Sequence, residues 1–309
     1  MKGKKLTMEQ KPLIILAGAT GNLGQRIARE LRKRDIAVRA IVRPGTSSER
    51  LATLREQQVE IVESDLNTRS EVVVRACEGA SCIVSTLLGL HKVIIDTQGV
   101  LLDAAVEAGV PRFIPSDYAM DFTKLAPGLN RNLDLHREFH ARLNTAPIRS
   151  TTILNGAFMN LLTGEAPLVL FKVKRVLYWG EAPDQLMDFT TMDDTAAFTA
   201  EASLDPSTPR ILRVAGEQIS ASGLAKVASN ISSKHFRTLR GGSLKRLERI
   251  IKITRGLTPN SDAPFPVWQG MQYLYCMFEG SGKLMPLDNE RYPDLQWTSV
   301  STVLRDAFR

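Results

Sequence analysis

The feature that most constrains this chain is a glycine turn set between an apolar strand and an amphipathic helix. Gly18-Ala19-Thr20-Gly21-Asn22-Leu23-Gly24 follows the apolar run Leu13–Ala17 and opens the segment Asn22–Arg34, where Leu23, Ile27 and Leu31 share one helical face. In a G-x-x-G-x-x-G turn the first glycine permits the tight bend and the second lets backbone amides approach a pyrophosphate. The third lets the helix pack closely on the sheet. The start of the helix then presents unpaired N–H groups and the positive end of its dipole to the phosphates. Glycine spacing alone is common, and the strand–turn–helix context is what gives it weight.

The alternation continues beyond the turn. Strands are expected at Ile36–Val42, Val59–Val62, Cys82–Leu87 and Arg112–Pro115, separated by helices at Ser47–Gln57, Ser70–Cys77 and Val93–Ala108. Mostly apolar strands alternating with helices point to a parallel sheet covered on both faces, with a ligand crevice at the carboxyl ends of the strands. After Ser116 the pattern loosens, with a helix expected around Leu133–Leu143 and strands at Thr151–Leu154, Lys174–Trp179 and Ile211–Ala215. Helices are expected at Thr191–Ser203 and Pro266–Phe278, and most of the remainder reads as helix. The 309 residues are about two domains' worth of chain, at roughly 100–200 residues each. The expected architecture is therefore α/β, a Rossmann-type doubly wound parallel sheet with a smaller, mostly helical C-terminal substrate lobe. Residues 1–11 read as a basic tail, 12–155 as the dinucleotide-binding domain with a return segment near 188–215, and 156–309 as the substrate lobe.

The end of the second strand discriminates between dinucleotides. An NAD-selective site places an acidic residue there, about 20 residues past the turn, to hold the ribose 2′-OH. This chain has Arg43, with Ser47, Ser48 and Arg50 close behind, and a guanidinium suits a 2′-phosphate. NADP(H) is the expected cofactor. Asp65 and Leu66 after the third strand would face adenine, and Ser85 and Thr86 after the fourth would flank the nicotinamide ribose. The same Ser, Asp and Thr types also cap helices.

Composition closes off other classes. The longest apolar runs are a handful of residues, short of the ~20 needed to span a bilayer, and no membrane partner is expected. Three cysteines without a C-x-x-C pair fit a reducing, cytoplasmic setting. The net charge of +7 equals that of one tract, Lys234–Arg255, where eight Lys and Arg face the single Glu248. Leu244, Leu247 and Ile251 give that tract an apolar stripe with Lys245, Arg246, Arg249 and Lys252 outward, a face that an acidic partner could meet. No helix-turn-helix or zinc finger accompanies it, so sequence-specific nucleic-acid binding is not expected.

The opening glycine turn, Ile41-Val42-Arg43, Ser85-Thr86 and the run Ala108-Gly109-Val110-Pro111-Arg112-Phe113-Ile114-Pro115-Ser116-Asp117-Tyr118 together resemble the NmrA-like and isoflavone-reductase-like proteins, atypical short-chain dehydrogenases/reductases. The likeness is strongest over residues 12–120 and continues through Asn155-Gly156-Ala157-Phe158 and Asp188–Thr195. The resemblance implies a Rossmann lobe binding NADP(H), with Asn155, Gly156 and Phe158 joining the cofactor site and substrate held between the lobes. It also implies reduction of aromatic enones, ethers or quinones, or, as in NmrA itself, nucleotide-dependent regulation without catalysis. A homodimer is compatible with it.

Two departures narrow the chemistry. The Tyr-x-x-x-Lys pair of short-chain dehydrogenases is absent after Tyr118, and the helix that carries a lysine in the isoflavone-reductase-like enzymes has none here. It reads Asn132-Leu133-Asp134-Leu135-His136-Arg137-Glu138-Phe139-His140. Asp134 and His136, with Tyr118, are the candidate proton donors, histidine being the type that exchanges protons near neutrality. His136 and His140 share a helical face, but the H-E-x-x-H order needs glutamate where Arg137 stands, and no metal site is expected.

Overall fold

Aliphatic strands with both faces apolar must be covered on both sides, and the chain does this by alternating strand and helix. The structure, a computed structural model, describes residues 11–164, 168–258 and 261–308. The basic tail lies outside the described residues except for Lys11. The first half runs β1 (Leu13–Ala17), α1 (Asn22–Lys33), β2 (Ala37–Val42), α2 (Ser48–Glu56), β3 (Glu60–Glu63), α3 (Glu71–Cys77), β4 (Cys82–Ser85), α4 (Gln98–Glu107) and β5 (Arg112–Ile114). A π-helical turn at Lys92–Thr97 leads into α4. Then follow α5 (Arg131–Leu143) and the short strand β6 (Arg149–Ser150).

These strands form one six-stranded sheet in the order β3-β2-β1-β4-β5-β6, every neighbour parallel. The order reverses at β1, so the crevice of a doubly wound sheet opens between the carboxyl ends of β1 and β4. On one face α1 and α2 bury Ile27, Leu31, Leu51 and Leu54. On the other, α3, α4 and α5 bury Val73, Leu101, Leu102, Phe139 and Leu143.

The chain continues through β7 (Thr152–Leu154), β8 (Ala157–Phe158), β9 (Val169–Leu170), β10 (Arg175–Trp179), β11 (Met187–Thr190), α6 (Met192–Leu204) and β12 (Ile211–Arg213). The extended run 149–154 changes partner part-way. Its first residues pair with β5, while β7 pairs in parallel with β12, which returns after α6. Phe198 of α6 joins the same apolar layer as α1. Arg112, buried at the start of β5, fixes this return: it donates to Ser203 O at 3.0 Å, Ala202 O at 2.7 Å and Thr208 Oγ1 at 2.8 Å.

The C-terminal lobe is completed by β13 (Glu217–Ile219), α7 (Ala221–Ser232), β14 (Arg237–Gly242), α8 (Leu244–Leu257), α9 (Val267–Glu279) and α10 (Val300–Ala307). It is helical but holds two small mixed sheets, β13-β11-β8 and β14-β10-β9. Strands of two or three residues are too short to show a period, and β14, Arg-Thr-Leu-Arg-Gly-Gly, carries a single apolar residue, so composition masks them. Asp121, buried, ties this lobe to the sheet by accepting from Arg213 Nε at 2.7 Å. Its own backbone amide donates to Gly282 O at 2.9 Å.

Candidate functional site

The glycine turn has the form of a cradle. Gly18 sits at φ +81°, where a side chain is strained, and a Cβ there would lie 2.7 Å from Thr86 O. A Cβ on Gly24 would lie 2.4 Å from Gly18 O, so this glycine lets α1 close onto the turn itself. Gly21 caps α1 without a side chain, and the first turn of the helix carries no acidic residue. Most other long helices are capped by a side chain: Asn130 for α5, Thr191 for α6, Ser220 for α7 and Ser243 for α8. At α1 the first helical bond recorded in the turn is Gln25 N–H to Gly21 O, at 3.0 Å. Among the described residues the amides of Asn22, Leu23 and Gly24 have no recorded acceptor, while Ala19 is buried beneath them. That is what a pyrophosphate needs: directed N–H donors, no competing carboxylate, and no Cβ in the way.

The other predicted cofactor residues rim the same edge. Arg43 is exposed just past β2, and no ion pair is recorded for its guanidinium among the described residues. Asp65 is exposed, and its Oδ1 accepts from Asn67 N at 2.9 Å and Asn67 Nδ2 at 2.7 Å, closing a turn over buried Leu66. Thr86 donates its hydroxyl to Ala17 O at 3.0 Å, locking β4 to β1 beneath Gly18, and the buried Ser85 hydroxyl has no partner. Asn155 is buried at the end of β7, with its Nδ2 3.3 Å from Thr195 Oγ1 and its Oδ1 unpartnered. Gly156 N–H donates to Ala119 O at 3.1 Å, and Phe158 is half-buried on β8. Next to them Met120, Met187, Cys276 and Met277, with Asp188 and Lys283, line a small cavity. Burial pushes the Cys276 thiol up to about 12, which removes it as a nucleophile.

The three candidate proton donors separate. Tyr118 packs into the α1/α6 layer with its hydroxyl buried beside Thr199, and burial raises its pKa above the ordinary phenol value. Asp134 accepts from Gly128 N at 3.0 Å and pairs with Arg137, so its carboxylate closes the loop before α5. His136 faces neither of them. Its Nδ1 lies 3.2 Å from Oδ1 of Asp117, a fully buried carboxylate three residues beyond β5.

His140, one turn along α5, meets the same carboxylate, with Nε2 2.5 Å from Asp117 Oδ2. Thr152 of β7 donates to that oxygen at 2.9 Å. Arg210, just before β12, donates to Thr152 Oγ1 at 2.8 Å and sets its Nη2 3.4 Å from His140 Nδ1. The Phe122 ring stacks on His136 at 5.6 Å and meets His140 edge-on at 5.0 Å. Burial works to raise the Asp117 pKa, but the adjoining His140 and His136 rings outweigh it by attraction and hydrogen bonding. They hold the carboxyl well below its usual range. Asp117, His140, Thr152 and Arg210 escape a sequence search because they come from four separate stretches. The one local signal is a pair of histidines at i and i+4 behind a strand-end aspartate.

The NmrA-like family matches residues 10–298 of the chain. Over its full length the chain is similar to the probable pinoresinol-lariciresinol reductase 3 of Arabidopsis thaliana, at 23% identity, with 96% of this chain and 97% of that protein covered. Among solved structures, AtPrR2 with NADP+ and (+)pinoresinol superposes with a TM-score of 0.80 at 21% identity, covering 96% of this chain and 99% of that one. The leucoanthocyanidin reductase–NADPH complex of Vitis vinifera superposes with a TM-score of 0.78 at 18% identity, covering 96% and 99%. These structural likenesses establish a shared fold. No helix among the described residues is long and apolar enough to cross a membrane.

Proposed function

The chain belongs to the NmrA-like family, and on that premise we propose that it is an NADPH-dependent reductase of a small aromatic, quinone or conjugated carbonyl substrate. The observation that carries the reading is the uncapped first turn of α1, whose amides have no acceptor among the described residues, beside a glycine cradle and the exposed Arg43. NADPH supplies the hydride. The residues of the chain do the rest: the turn from Gly18 to Gly24 holds the pyrophosphate, and Arg43 with Ser47, Ser48 and Arg50 receives the 2′-phosphate. Asp65 and Leu66 border the adenine, while Ser85, Thr86, Asn155, Gly156 and Phe158 border the nicotinamide end.

Two measurements test this. Titration with NADPH and NADH should show saturable binding with the phosphorylated form preferred. NADPH should then be consumed in the presence of at least one member of a panel of aryl enones, quinones and cationic dyes. Binding without turnover on any of them refutes the catalytic half. It leaves the second reading, a nucleotide-sensing regulator, which the exposed basic residues Lys245, Arg246 and Arg249 of α8 favour.

A further inference from the structure

The arrangement around Asp117 assigns different jobs to its two histidines, and the geometry points to His136 as the proton donor of this site, with His140, Arg210 and Thr152 positioning it through Asp117. The inference rests on the reductase reading for its substrate, but not for its chemistry.

The argument starts from Arg210. A guanidinium carries only donors, so the nitrogen it faces, His140 Nδ1 at 3.4 Å, must be the acceptor of that ring. The proton of the His140 ring is therefore on Nε2, donated to Asp117 Oδ2 at 2.5 Å. Thr152 has one hydroxyl proton. Its oxygen accepts from Arg210 Nη1 at 2.8 Å, so that proton goes to Asp117 Oδ2 at 2.9 Å. Arg210 is further anchored by Asn144 Oδ1 at 3.0 Å. One carboxylate oxygen thus meets two donors, the His140 ring and the Thr152 hydroxyl.

The other oxygen, Oδ1, has no hydrogen-bond partner, and His136 Nδ1, which also has none, lies 3.2 Å from it. This favours the proton on Nδ1 and leaves Nε2 as the nitrogen that gains and loses one. Nε2 makes no recorded hydrogen bond and is not among the buried unpartnered atoms, so it is the outlet of a side chain that keeps 12% exposure. The groups facing His136 are Asp117 from the loop after β5 and the uncharged face of Phe122. Its neighbours Arg137 and Glu138 are turned to Asp134 and His91. When a carbonyl substrate is reduced, the N–H bond at His136 Nε2 breaks as an O–H bond forms on the oxygen that has become negative. The neutral ring then recovers a proton from water.

The primary test needs no substrate. In protein labelled with 15N histidine, two-bond proton–nitrogen spectra recorded from about pH 5 to 8 report the tautomer of each ring. The expected result is a His140 fixed as the neutral Nε2–H form and a His136 whose nitrogens shift with pH. Titration of His140 in the wild type, or a pH-independent His136, overturns the assignment. Arg210→Gln should release His140 to titrate. The wild-type spectrum alone decides the tautomer, so the test survives if R210Q does not fold.

A second test separates proton donation from mere packing. His136→Gln should lower kcat with NADPH and an aryl enone by at least ~100-fold, the usual scale for loss of a general acid. With a cationic triarylmethane the same variant should lose less than about threefold, because hydride neutralises that cation and no proton is required. Equal losses on both probes would make His136 structural. Turnover of neither would overturn the reductase reading and the donor role with it, while leaving the tautomer assignment to spectroscopy.

Discussion

The two halves of the candidate site are built from opposite materials. The glycine cradle is made of backbone and of missing side chains: Gly18, Gly21 and Gly24, and a helix start with no side-chain cap. The Asp117 cluster is made of side chains that are expensive to bury, with the carboxylate against two rings and a hydroxyl, and Arg210 behind Thr152 and His140. The first costs conformational entropy and little else. The second is stable only while every partner is present, because a buried charge without its counterpart costs several kcal/mol.

The largest effect should therefore come from the cluster. Asp117→Asn leaves Arg210 and the rings without their carboxylate and should lower unfolding free energy by about 3–5 kcal/mol, measured by urea denaturation. A loss under ~1 kcal/mol would erase the contrast. The same carboxylate sets an acid dependence. Its folded pKa lies below the unfolded value of about 3.9, so its contribution is complete above that value. As pH falls further toward the folded pKa the contribution fades, and D117N should show a flatter stability curve in that acid range than the wild type.

Next comes Gly18→Ala, which combines a left-handed backbone with a Cβ 2.7 Å from a carbonyl oxygen. It should cost about 2–3 kcal/mol and abolish measurable NADPH binding at micromolar protein. Retention of wild-type affinity would show that the turn is not where phosphates settle. Arg43→Ala, at an exposed side chain with no ion pair among the described residues, should leave the melting temperature unchanged while weakening NADPH about 10- to 30-fold and NADH hardly at all. The smallest effect belongs to a surface pair. Lys252→Ala, which removes the partner of Glu248 on α8, should change stability by less than about 0.5 kcal/mol.

The same contrast explains what the sequence made readable. The cradle is contiguous, so the spacing of three glycines behind Leu13–Ala17 located it, and β1 spans those same residues in the structure. The alternation also located the strands and helices to Ile114, since most of them bury a face large enough to leave a period, the half-exposed β3 excepted. The long helix before β5 is the partial exception, because its first turns at Lys92–Thr97 are π-helical. The cluster was only half visible. His136 stood out by type, but its partners depend on how β7 and β12 pair, a tertiary fact that no local pattern carries. The strands β9, β13 and β14 were hidden for a related reason: their pairing, and not their composition, makes them strands.

Arg112 gives this dependence a mechanical form. By gripping Ala202 O, Ser203 O and Thr208 Oγ1 at once, it rivets the end of one helix and the following loop to the foot of a central strand. Arg210 lies two residues beyond that rivet, so its aim at His140 is inherited from the stiffness of the sheet. Lysine at position 112 would reach one acceptor where arginine reaches three. The slack it introduced would surface about a turn of helix away, as an imidazole no longer told which nitrogen to keep bare.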